Sequence, residues 1–287
     1  MTYGNGTAAS HRGSAQGAEK TAEIVSHYGD VARAAEGAEA ACECCEPDPA
    51  QAGEAFSLYT EEVLAGLPKG ALIASRGCGD PVAKADLQAG ERVLDLGSGG
   101  GIDALIAARL VGAAGHVFGL DMTPDMISLA RKNAAEAGVD NVDFIEGSID
   151  HIPLPDQSVD VVVSNCVINL CENKAAVFAE AKRVLVPGGR LVVSDIVAFL
   201  PIPKEAEEAL RAITGCRRGI TAADDYRTMM SGCGFAKTSI EPKTIYTVDV
   251  LREKAERKNR EKALEEAIAY DVDSVCGSAI IRAVSAR

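Results

Sequence analysis

Leu94 to Gly101 read Leu-Asp-Leu-Gly-Ser-Gly-Gly-Gly, so a short apolar segment runs directly into a glycine-rich turn, and an apolar helical pattern follows. Glycine has no Cβ atom, which lets the chain turn sharply and lets a ligand approach the backbone. The helix that follows presents unpaired N–H groups at its start. The stretch therefore predicts the first strand and turn of a nucleotide-binding α/β domain, with a cofactor of the adenosine type.

The kind of cofactor depends on what this turn lacks and on one carboxylate. A dinucleotide-binding turn needs a third small residue for close packing, but counting from Gly97 that position is Ile102. Counting from Gly99 does give Gly-x-Gly-x-x-Ala, so the pattern alone leaves the dinucleotide alternative open. Asp95 lies just before the turn, where a carboxylate repels phosphate and attracts an ammonium or sulfonium cation. The simpler alternative is an ordinary glycine-rich turn with a helix-capping aspartate.

This turn resembles motif I of the class I S-adenosylmethionine-dependent methyltransferases. The resemblance implies a Rossmann-like α/β fold in which Asp95, Gly97, Ser98 and Gly99 help to bind S-adenosylmethionine.

Composition and charge narrow the class of protein and its partners. The chain has 287 residues and a net charge of -13, which argues against nucleic acid because phosphate backbones need Lys and Arg. We therefore expect a small-molecule substrate. Residues 1–20 have no apolar core typical of a signal peptide, and no later run approaches the roughly 18 apolar residues of a membrane span. We expect a cytoplasmic monomer with no membrane contact.

Four segments are expected along the chain. Residues 1–17 are predicted to be disordered, 18–88 to be a helical, cysteine-bearing segment, 89–198 to be the cofactor-binding core, and 199–287 to be a smaller C-terminal α+β subdomain over the cofactor cleft. A helix is predicted at 18–36, where Gly29-Asp30 could break it.

Strands and helices alternate in the predicted core. We expect strands at 92–96, 116–121, 142–146, 159–164 and 190–195, and helices at about 101–111, 124–137 and 172–185, with a turn at Pro187-Gly188-Gly189. Such alternation predicts a mostly parallel sheet covered by helices on both faces. Beyond the core the pattern predicts helices at 203–213, 222–231 and 251–268, and strands near 236–241, 244–249 and 278–284.

Other residues expected to bind the cofactor lie after the predicted strands. Asp121 closes the second strand, where a carboxylate can accept hydrogen bonds from two ribose hydroxyls. Its alternative role is to begin the turn into Thr123-Pro124. Further members of the expected cofactor site are Met122 against one adenine face, Ser148 and Ile149 at the edge of the base, and Asn165 after the fourth strand.

Three separated cysteines are expected to meet in one pocket. Cys78 lies between two glycines on a turn, Cys166 follows the fourth strand, and Cys216 precedes Arg217-Arg218, whose charges are expected to favour its thiolate. Three thiolates suit a soft, thiophilic ion better than Mg²⁺ or Ca²⁺, and the scattered histidines offer no zinc cluster.

A further cluster reads Cys42-Glu-Cys44-Cys45 and predicts a mobile, thiol-bearing loop. Adjacent cysteines would form a strained disulfide, so Cys44 or Cys45 is expected to pair with a distant partner. The alternative is an incidental cysteine-rich linker. Cys171 and Cys233 are interpreted as small hydrophobic residues.

Five segments in this order resemble the arsenite S-adenosylmethionine methyltransferases: Gly77 to Pro81, Leu94 to Gly101, Gly119 to Pro124, Ser164 to Leu170, and Gly215-Cys216. The resemblance implies that Cys78, Cys166 and Cys216 bind trivalent arsenic and are catalytic. It also implies that a cysteine of the cluster Cys42, Cys44 and Cys45 joins the thiol redox chemistry, with Cys44 and Cys45 as the catalytic candidates. The implied substrates are arsenite and methylarsenite, with S-adenosylmethionine as methyl donor and thioredoxin or glutathione as thiol reductant.

Two other functions are weighed against this one. The chain could methylate a quinone, a sterol or another small molecule, with the cysteines incidental. It could also be a non-catalytic thiol protein that sequesters or senses a metalloid.

Overall fold

The computed structural model describes residues 15–41 and 58–286. Within these ranges, the helices before the core include α1 (Ala15–Ala41), α2 (Glu61–Leu64) and α3 (Lys69–Ala74). Helix α1 begins inside the segment predicted to be disordered and continues through Gly29-Asp30 without a break. Gly29 lies where α1 passes Asp125, which forms an ion pair with Arg33 of α1. Gly29 is therefore an interior residue of the helix and not a helix end.

The core has the predicted alternation of strands and helices. Its elements are β1 (Arg92–Leu96), α4 (Ile102–Val111), β2 (His116–Asp121), α5 (Pro124–Ala137), β3 (Val142–Glu146), β4 (Val159–Asn165), α6 (Lys174–Val184) and β5 (Leu185–Ala198). The predicted turn at 187–189 lies inside β5 instead. There the register between β4 and β5 shifts, and Gly188 takes a φ of +83°.

The described strands after β5 are β6 (Thr221–Ala222), β7 (Phe235–Ile245) and β8 (Cys276–Ser285). One sheet runs through the described chain in the order β3-β2-β1-β4-β5-β8-β7, with the two-residue strand β6 beside β5. Strands β1 to β5 pair in parallel, whereas β8 (Cys276–Ser285) and β7 (Phe235–Ile245) add to the β5 edge in antiparallel fashion. The mixed α/β class and mostly parallel sheet that the sequence predicts are confirmed.

Apolar layers cover both faces of this sheet. Val93 packs on one face with residues of α4 and α5, such as Leu105 and Ile127. Leu94, the next residue along β1, packs on the other face with Phe178 of α6. Burial on both faces stabilises a parallel sheet and leaves the carboxyl ends of its strands open for ligands.

Residues 199–286 add helices as well as the two antiparallel strands. The helices are α7 (Lys204–Thr214), α8 (Ala223–Gly232), α9 (Val248–Arg257) and α10 (Glu261–Ile268). Helices α7, α9 and α10 form a third apolar cluster with Tyr246 and Cys276. Strands β7 and β8 belong to the same sheet as the core strands. The predicted division between a cofactor-binding core at 89–198 and a C-terminal subdomain at 199–287 therefore stays a prediction.

Two predictions in this part of the chain are wrong. The strand expected at 244–249 is the end of β7 and the start of α9, because Thr247 caps the helix by accepting a hydrogen bond from Val250 N at 3.4 Å. The helix expected at 251–268 is divided, because Asn259 takes a left-handed φ of +51° between α9 and α10. None of the described helices combines the length and hydropathy needed to cross a bilayer.

Candidate functional site

A deep cleft opens at the carboxyl ends of β1 to β4. We call it the carboxylate cleft, because Asp95, Asp103 and Asp121 all line it. The glycine turn after β1 forms part of its wall, with φ values of +71° at Gly97 and +51° at Gly99. The sharp turn predicted there is therefore present.

Asp121 holds the glycine turn in place. One carboxylate oxygen accepts a hydrogen bond from Gly99 N at 3.0 Å, and the other accepts one from Thr123 N at 2.8 Å. Thr123 is the N-cap of α5 as predicted, but its side chain makes no capping bond, and Pro124 is the first helical residue. The turn-forming alternative for Asp121 is thus realised, while the carboxylate also lines the cleft.

Asp95 is a buried carboxylate whose Oδ2 has no hydrogen-bond partner among the described residues. Burial raises its pKa well above the ordinary value, and the charges of Asp103 and Asp121 raise it further. Burying an anion without a partner costs free energy unless a cation or donor compensates it. The carboxylates that line the cleft therefore fit a positively charged ligand.

The remaining residues predicted to bind the cofactor also line this cleft; they are Ser98, Met122, Ser148, Ile149 and Asn165. Ile149 is buried, while Ser148 is exposed and hydrogen-bonds to Asp150. The structure brings all the predicted cofactor residues to one cavity.

A second cavity is lined by Cys78, Cys166 and Cys216, and we call it the thiol cavity. Cys78 and Cys166 are joined in a disulfide, with α-carbons 5.9 Å apart. Two of the three predicted thiolates are therefore present in their oxidised form. The Sγ atoms of Cys78 and Cys166 and one carboxylate oxygen of Asp195 all lie within 4.8 Å of one another.

The local chain geometry explains how these cysteines meet. Cys166 takes a left-handed φ of +60° directly after β4, and its N–H donates to Ser194 O at 2.8 Å. The glycines on either side of Cys78 allow its turn to approach the sheet, because a Cβ atom at Gly77 would lie 2.5 Å from the Asn165 side chain and one at Gly79 would collide with the Ser194 side chain. The Gly-Cys-Gly sequence is thus required by close packing.

The expectation that Arg217 and Arg218 favour a Cys216 thiolate is wrong. Cys216 is buried, and burial raises its pKa to about 12, with the nearby Asp195 adding to the effect. A hydrogen bond involving Thr214 and the charge of Lys258 oppose this shift only in part. The thiol is therefore protonated at neutral pH in this state of the protein.

The two cavities meet at a few shared residues. Tyr28, Gly77 and Cys166 line both. Tyr28 comes from α1, which also places Thr21 and Ile24 over the carboxylate cleft. A ligand in the cleft and a thiophilic ligand in the thiol cavity would therefore be neighbours at Cys166.

Sequence reasoning missed three functional candidates. Asp195 ends the predicted strand 190–195, so the rule that sites form at carboxyl ends of strands could have found it. Tyr28 carried no local signal for a role in the site. Cys276 begins β8, pairs with Ala198 and is buried close enough to Cys216 to raise its pKa, a placement that depends on the strand order.

The other cysteines have less defined positions in the site. The cluster Cys42, Cys44 and Cys45 lies outside the described residues. Cys171 and Cys233 were interpreted as small hydrophobic residues, and both are half-buried against the apolar cluster of α6 and α8. Cys171 also lines the rim of the carboxylate cleft beside Asp150, and burial raises its pKa to about 11.

Comparison with known proteins defines the class to which this fold and cleft belong. A family model described as a methyltransferase domain matches residues 87–258. The chain therefore belongs to the methyltransferase domain family. Comparison with individual proteins shows which methyltransferases the chain is similar to.

Among these, the chain is similar to proteins named arsenite methyltransferase. It is 44% identical over 200 residues to that of Halobacterium salinarum, covering 70% of this chain and 51% of the relative. It is 41% identical over 166 residues to that of Aquipseudomonas alcaligenes, covering 55% and 47%. The chain spans about half the length of these curated relatives.

A solved structure gives a longer match. The chain is similar to the crystal structure of an arsenic(III) S-adenosylmethionine methyltransferase from Chlamydomonas reinhardtii. The TM-score is 0.58 and the identity is 31%, with 84% of this chain and 75% of that chain covered.

Proposed function

We propose that this protein transfers methyl groups from S-adenosylmethionine to trivalent arsenic held by cysteine sulfur. The observation that carries the proposal is the position of Cys166, bonded to Cys78 and shared by the carboxylate cleft and the thiol cavity. The names of the bacterial, archaeal and algal relatives support the same activity.

The residues of the carboxylate cleft fit the methyl donor. S-adenosylmethionine, when bound, supplies a methyl group on a positively charged sulfur. The unpaired oxygen of Asp95 would balance a cationic group of this ligand. Asp121 would accept hydrogen bonds from ribose hydroxyls while it continues to hold Gly99, because each carboxylate oxygen can accept more than one hydrogen bond.

The residues of the thiol cavity fit arsenic as substrate. Sulfur is a soft ligand, and the reduced thiols of Cys166, Cys216 and Cys78 would replace the three hydroxyl groups of arsenite, with each thiol proton leaving in a water molecule. Bound arsenic keeps a lone pair and carries no proton, so no side chain has to remove one from it. The main task of the chain is alignment of the lone pair with the methyl group, and both cavities contribute to it at Cys166.

The Cys78–Cys166 disulfide supports the redox part of the proposal. Methyl transfer raises arsenic formally from the trivalent to the pentavalent state. When the sulfurs of Cys78 and Cys166 join in a disulfide, their two bonds to arsenic break and two electrons stay on arsenic, which returns it to the trivalent state. An external thiol then reduces the disulfide by exchange and restores both thiols. We propose a small thiol such as glutathione, or thioredoxin, for this step.

The proposal is tested with purified, prereduced protein, arsenite, S-adenosylmethionine and dithiothreitol, with methylated arsenic separated by chromatography and detected by mass spectrometry. We expect methylarsenic, with one S-adenosylhomocysteine formed for each methyl group transferred. Reactions without arsenite measure uncoupled cofactor loss. Binding of arsenite without any methylated product would favour the metalloid-sequestering alternative. Methylation of a quinone or sterol but not of arsenite would favour the alternative of a methyltransferase for another small molecule.

A further inference from the structure

A third cavity lies between the N-terminal half of α1 and the loop after α7. It contains five basic side chains, which are Lys20, Arg211, Arg217, Arg218 and Arg260. Among the described residues, two carboxylates, Glu23 and Glu208, line it with them. We call it the basic cavity. Such an excess of cations in a chain with a net charge of -13 defines a local site for an anion.

Most of this positive charge is not neutralised by neighbouring carboxylates. Within residues 15–41 and 58–286, neither Arg217 nor Arg260 forms an ion pair, and both are exposed. Arg218 forms an ion pair with Glu172 at 3.7 Å, which is longer than a normal hydrogen bond. An anion that enters this cavity therefore meets two cations, Arg217 and Arg260, that form no ion pair with a carboxylate of the described residues.

Arg218 is a built part of the cavity rather than a mobile surface cation. Its side chain is only 8% exposed, and its guanidinium donates to Gly17 O and Thr21 Oγ1, each at 2.8 Å. The Nε atoms of Arg218 and Arg211 are buried and have no partner in the described part of the chain. Holding a buried guanidinium with donors unpaired costs free energy, which a bound anion offsets.

The basic cavity adjoins the thiol cavity. Ala212, Gly215, Arg217 and Arg260 line both. A ligand bound to Arg217 and Arg260 therefore lies at the boundary of the cavity that Cys78 and Cys166 also line.

We propose that the basic cavity binds the carboxylates of a small peptide thiol and presents its sulfur to the Cys78–Cys166 disulfide. Glutathione has this chemistry, with two carboxylates for the arginines and one ammonium for Glu23 or Glu208. The proposal deepens the proposed function, on which it rests for the use of the disulfide in turnover. The binding itself is a separate property of the cavity.

The exchange balances with two molecules of the thiol. The thiolate of the first attacks one sulfur of the disulfide, and the other cysteine leaves and takes up a proton. The thiolate of the second attacks the mixed disulfide, and the remaining cysteine leaves and is protonated. The protein gains two electrons and two protons, and two glutathione molecules become one oxidised glutathione.

The first test measures binding without redox chemistry. S-methylglutathione keeps both carboxylates but cannot exchange, and its affinity for the full chain is measured by calorimetry at low ionic strength. Arg217→Ala with Arg260→Ala removes two exposed cations and leaves the buried arginines intact. Arg252→Ala with Arg257→Ala is the matched control, since it removes the same charge from the exposed surface of α9.

We expect the Arg217 and Arg260 double variant to weaken S-methylglutathione binding by at least about tenfold, as charge-assisted hydrogen bonds are lost. The control should bind as the unaltered protein does. Absence of binding at millimolar S-methylglutathione, or equal weakening in both double variants, would overturn the proposal.

The second test follows loss of the Cys78–Cys166 disulfide by mass spectrometry of alkylated peptides. The rate of reduction by glutathione is divided by the rate of reduction by dithiothreitol, which is neutral and has no carboxylate for the arginines. This ratio should fall about tenfold in the Arg217 and Arg260 double variant. An unchanged ratio would overturn the proposal.

If S-methylglutathione binds but arsenite is never methylated, the cavity assignment is supported and the proposed function fails. If arsenite is methylated and S-methylglutathione does not bind, only the cavity assignment fails.

Discussion

Cys78 donates its backbone N–H to the side-chain oxygen of Asn165 at 2.9 Å, although 87 residues separate them in the sequence. The amide nitrogen of Asn165 donates to Gly79 O at 2.8 Å and to Asp103 Oδ2 at 3.0 Å. Asp103 also accepts from the Tyr59 hydroxyl at 2.8 Å. One amide therefore joins the turn that carries Cys78 to a carboxylate of the carboxylate cleft.

Replacing Asn165 by Ala should lower the free energy of unfolding by about 1 to 3 kcal/mol, because buried groups of Cys78, Gly79 and Asp103 lose their partner. It should also slow disulfide formation between Cys78 and Cys166, since the turn is no longer fixed. Urea unfolding and thiol titration measure the two effects. Asn173→Ala, which removes the cap of α6 on the surface, is the control. An equal rate of disulfide formation in both variants would contradict the positioning role.

Replacing Asp121 by Ala should weaken S-adenosylmethionine binding by about 1 to 3 kcal/mol, the cost of leaving buried polar groups unpaired. The loss has two parts, because Asp121 lines the carboxylate cleft and also fixes Gly99 and Thr123. Calorimetry with the cofactor measures the affinity, and Asp140→Ala removes an exposed carboxylate as a control. Unchanged affinity in Asp121→Ala would count against the predicted ribose site.

Asp195 gives a prediction for the pH dependence of stability. Burial raises its pKa from 3.8 to about 6, although hydrogen bonds from Tyr226, Ile196 and Asn169 oppose the shift. The folded state thus favours the protonated carboxyl, and this contribution to stability is complete below pH 3.8 and lost as the pH rises to about 6.

The free energy of unfolding of the unaltered protein, relative to Asp195→Asn, should fall by roughly 2 kcal/mol between about pH 4 and pH 7. Urea titrations across this range measure the difference, with Asp140→Asn as the control for a lost surface carboxylate. A difference that rises with pH would show that the folded protein favours the charged form of Asp195 instead.

Local patterns explain why some elements were predictable and others were not. The bounds of β1, β2, β3 and α5 agree with the sequence prediction, because apolar periodicity and turn residues mark both ends. The segment after Ile245 is rich in β-branched residues and predicted a strand. There Thr247 acts as a helix cap, and the contact of α9 with the third apolar cluster through Leu251 favours the helix.

Some residues of the candidate site could likewise be predicted from local sequence patterns, and others could not. The glycine turn, Asp121 and the cysteines carry local signals and could be selected from the sequence. The roles of Asp195, Tyr28 and Cys276 depend on the order of strands and on where α1 lies. The protonation state of Cys216 depends on burial rather than on its sequence neighbours, which is why the prediction from Arg217 and Arg218 failed.

The cluster Cys42, Cys44 and Cys45 is predicted to serve redox turnover rather than tight arsenic binding. Replacing all three by Ser should spare methylation of an already methylated trivalent arsenical but impair the reaction with arsenite. Single-turnover and steady-state assays with both substrates distinguish these effects, and Cys233→Ser controls for the loss of a thiol. Equal loss with both substrates would show that the cluster has another purpose.

The central claim is that arsenic is held by Cys166 and Cys216 during methyl transfer, with Cys78 adding affinity for inorganic arsenite. Serine offers a hard, protonated oxygen in place of a soft sulfur. Cys78→Ser should therefore lose activity on arsenite but keep part of its activity on methylarsenite, in which a methyl group already occupies one bonding position.

The most direct measurement is methyl transfer to arsenite and to methylarsenite by Cys166→Ser and Cys216→Ser, with S-adenosylmethionine binding checked by calorimetry in each variant. The account predicts that both variants bind the cofactor and methylate neither substrate. Arsenite methylation retained in Cys166→Ser would contradict it.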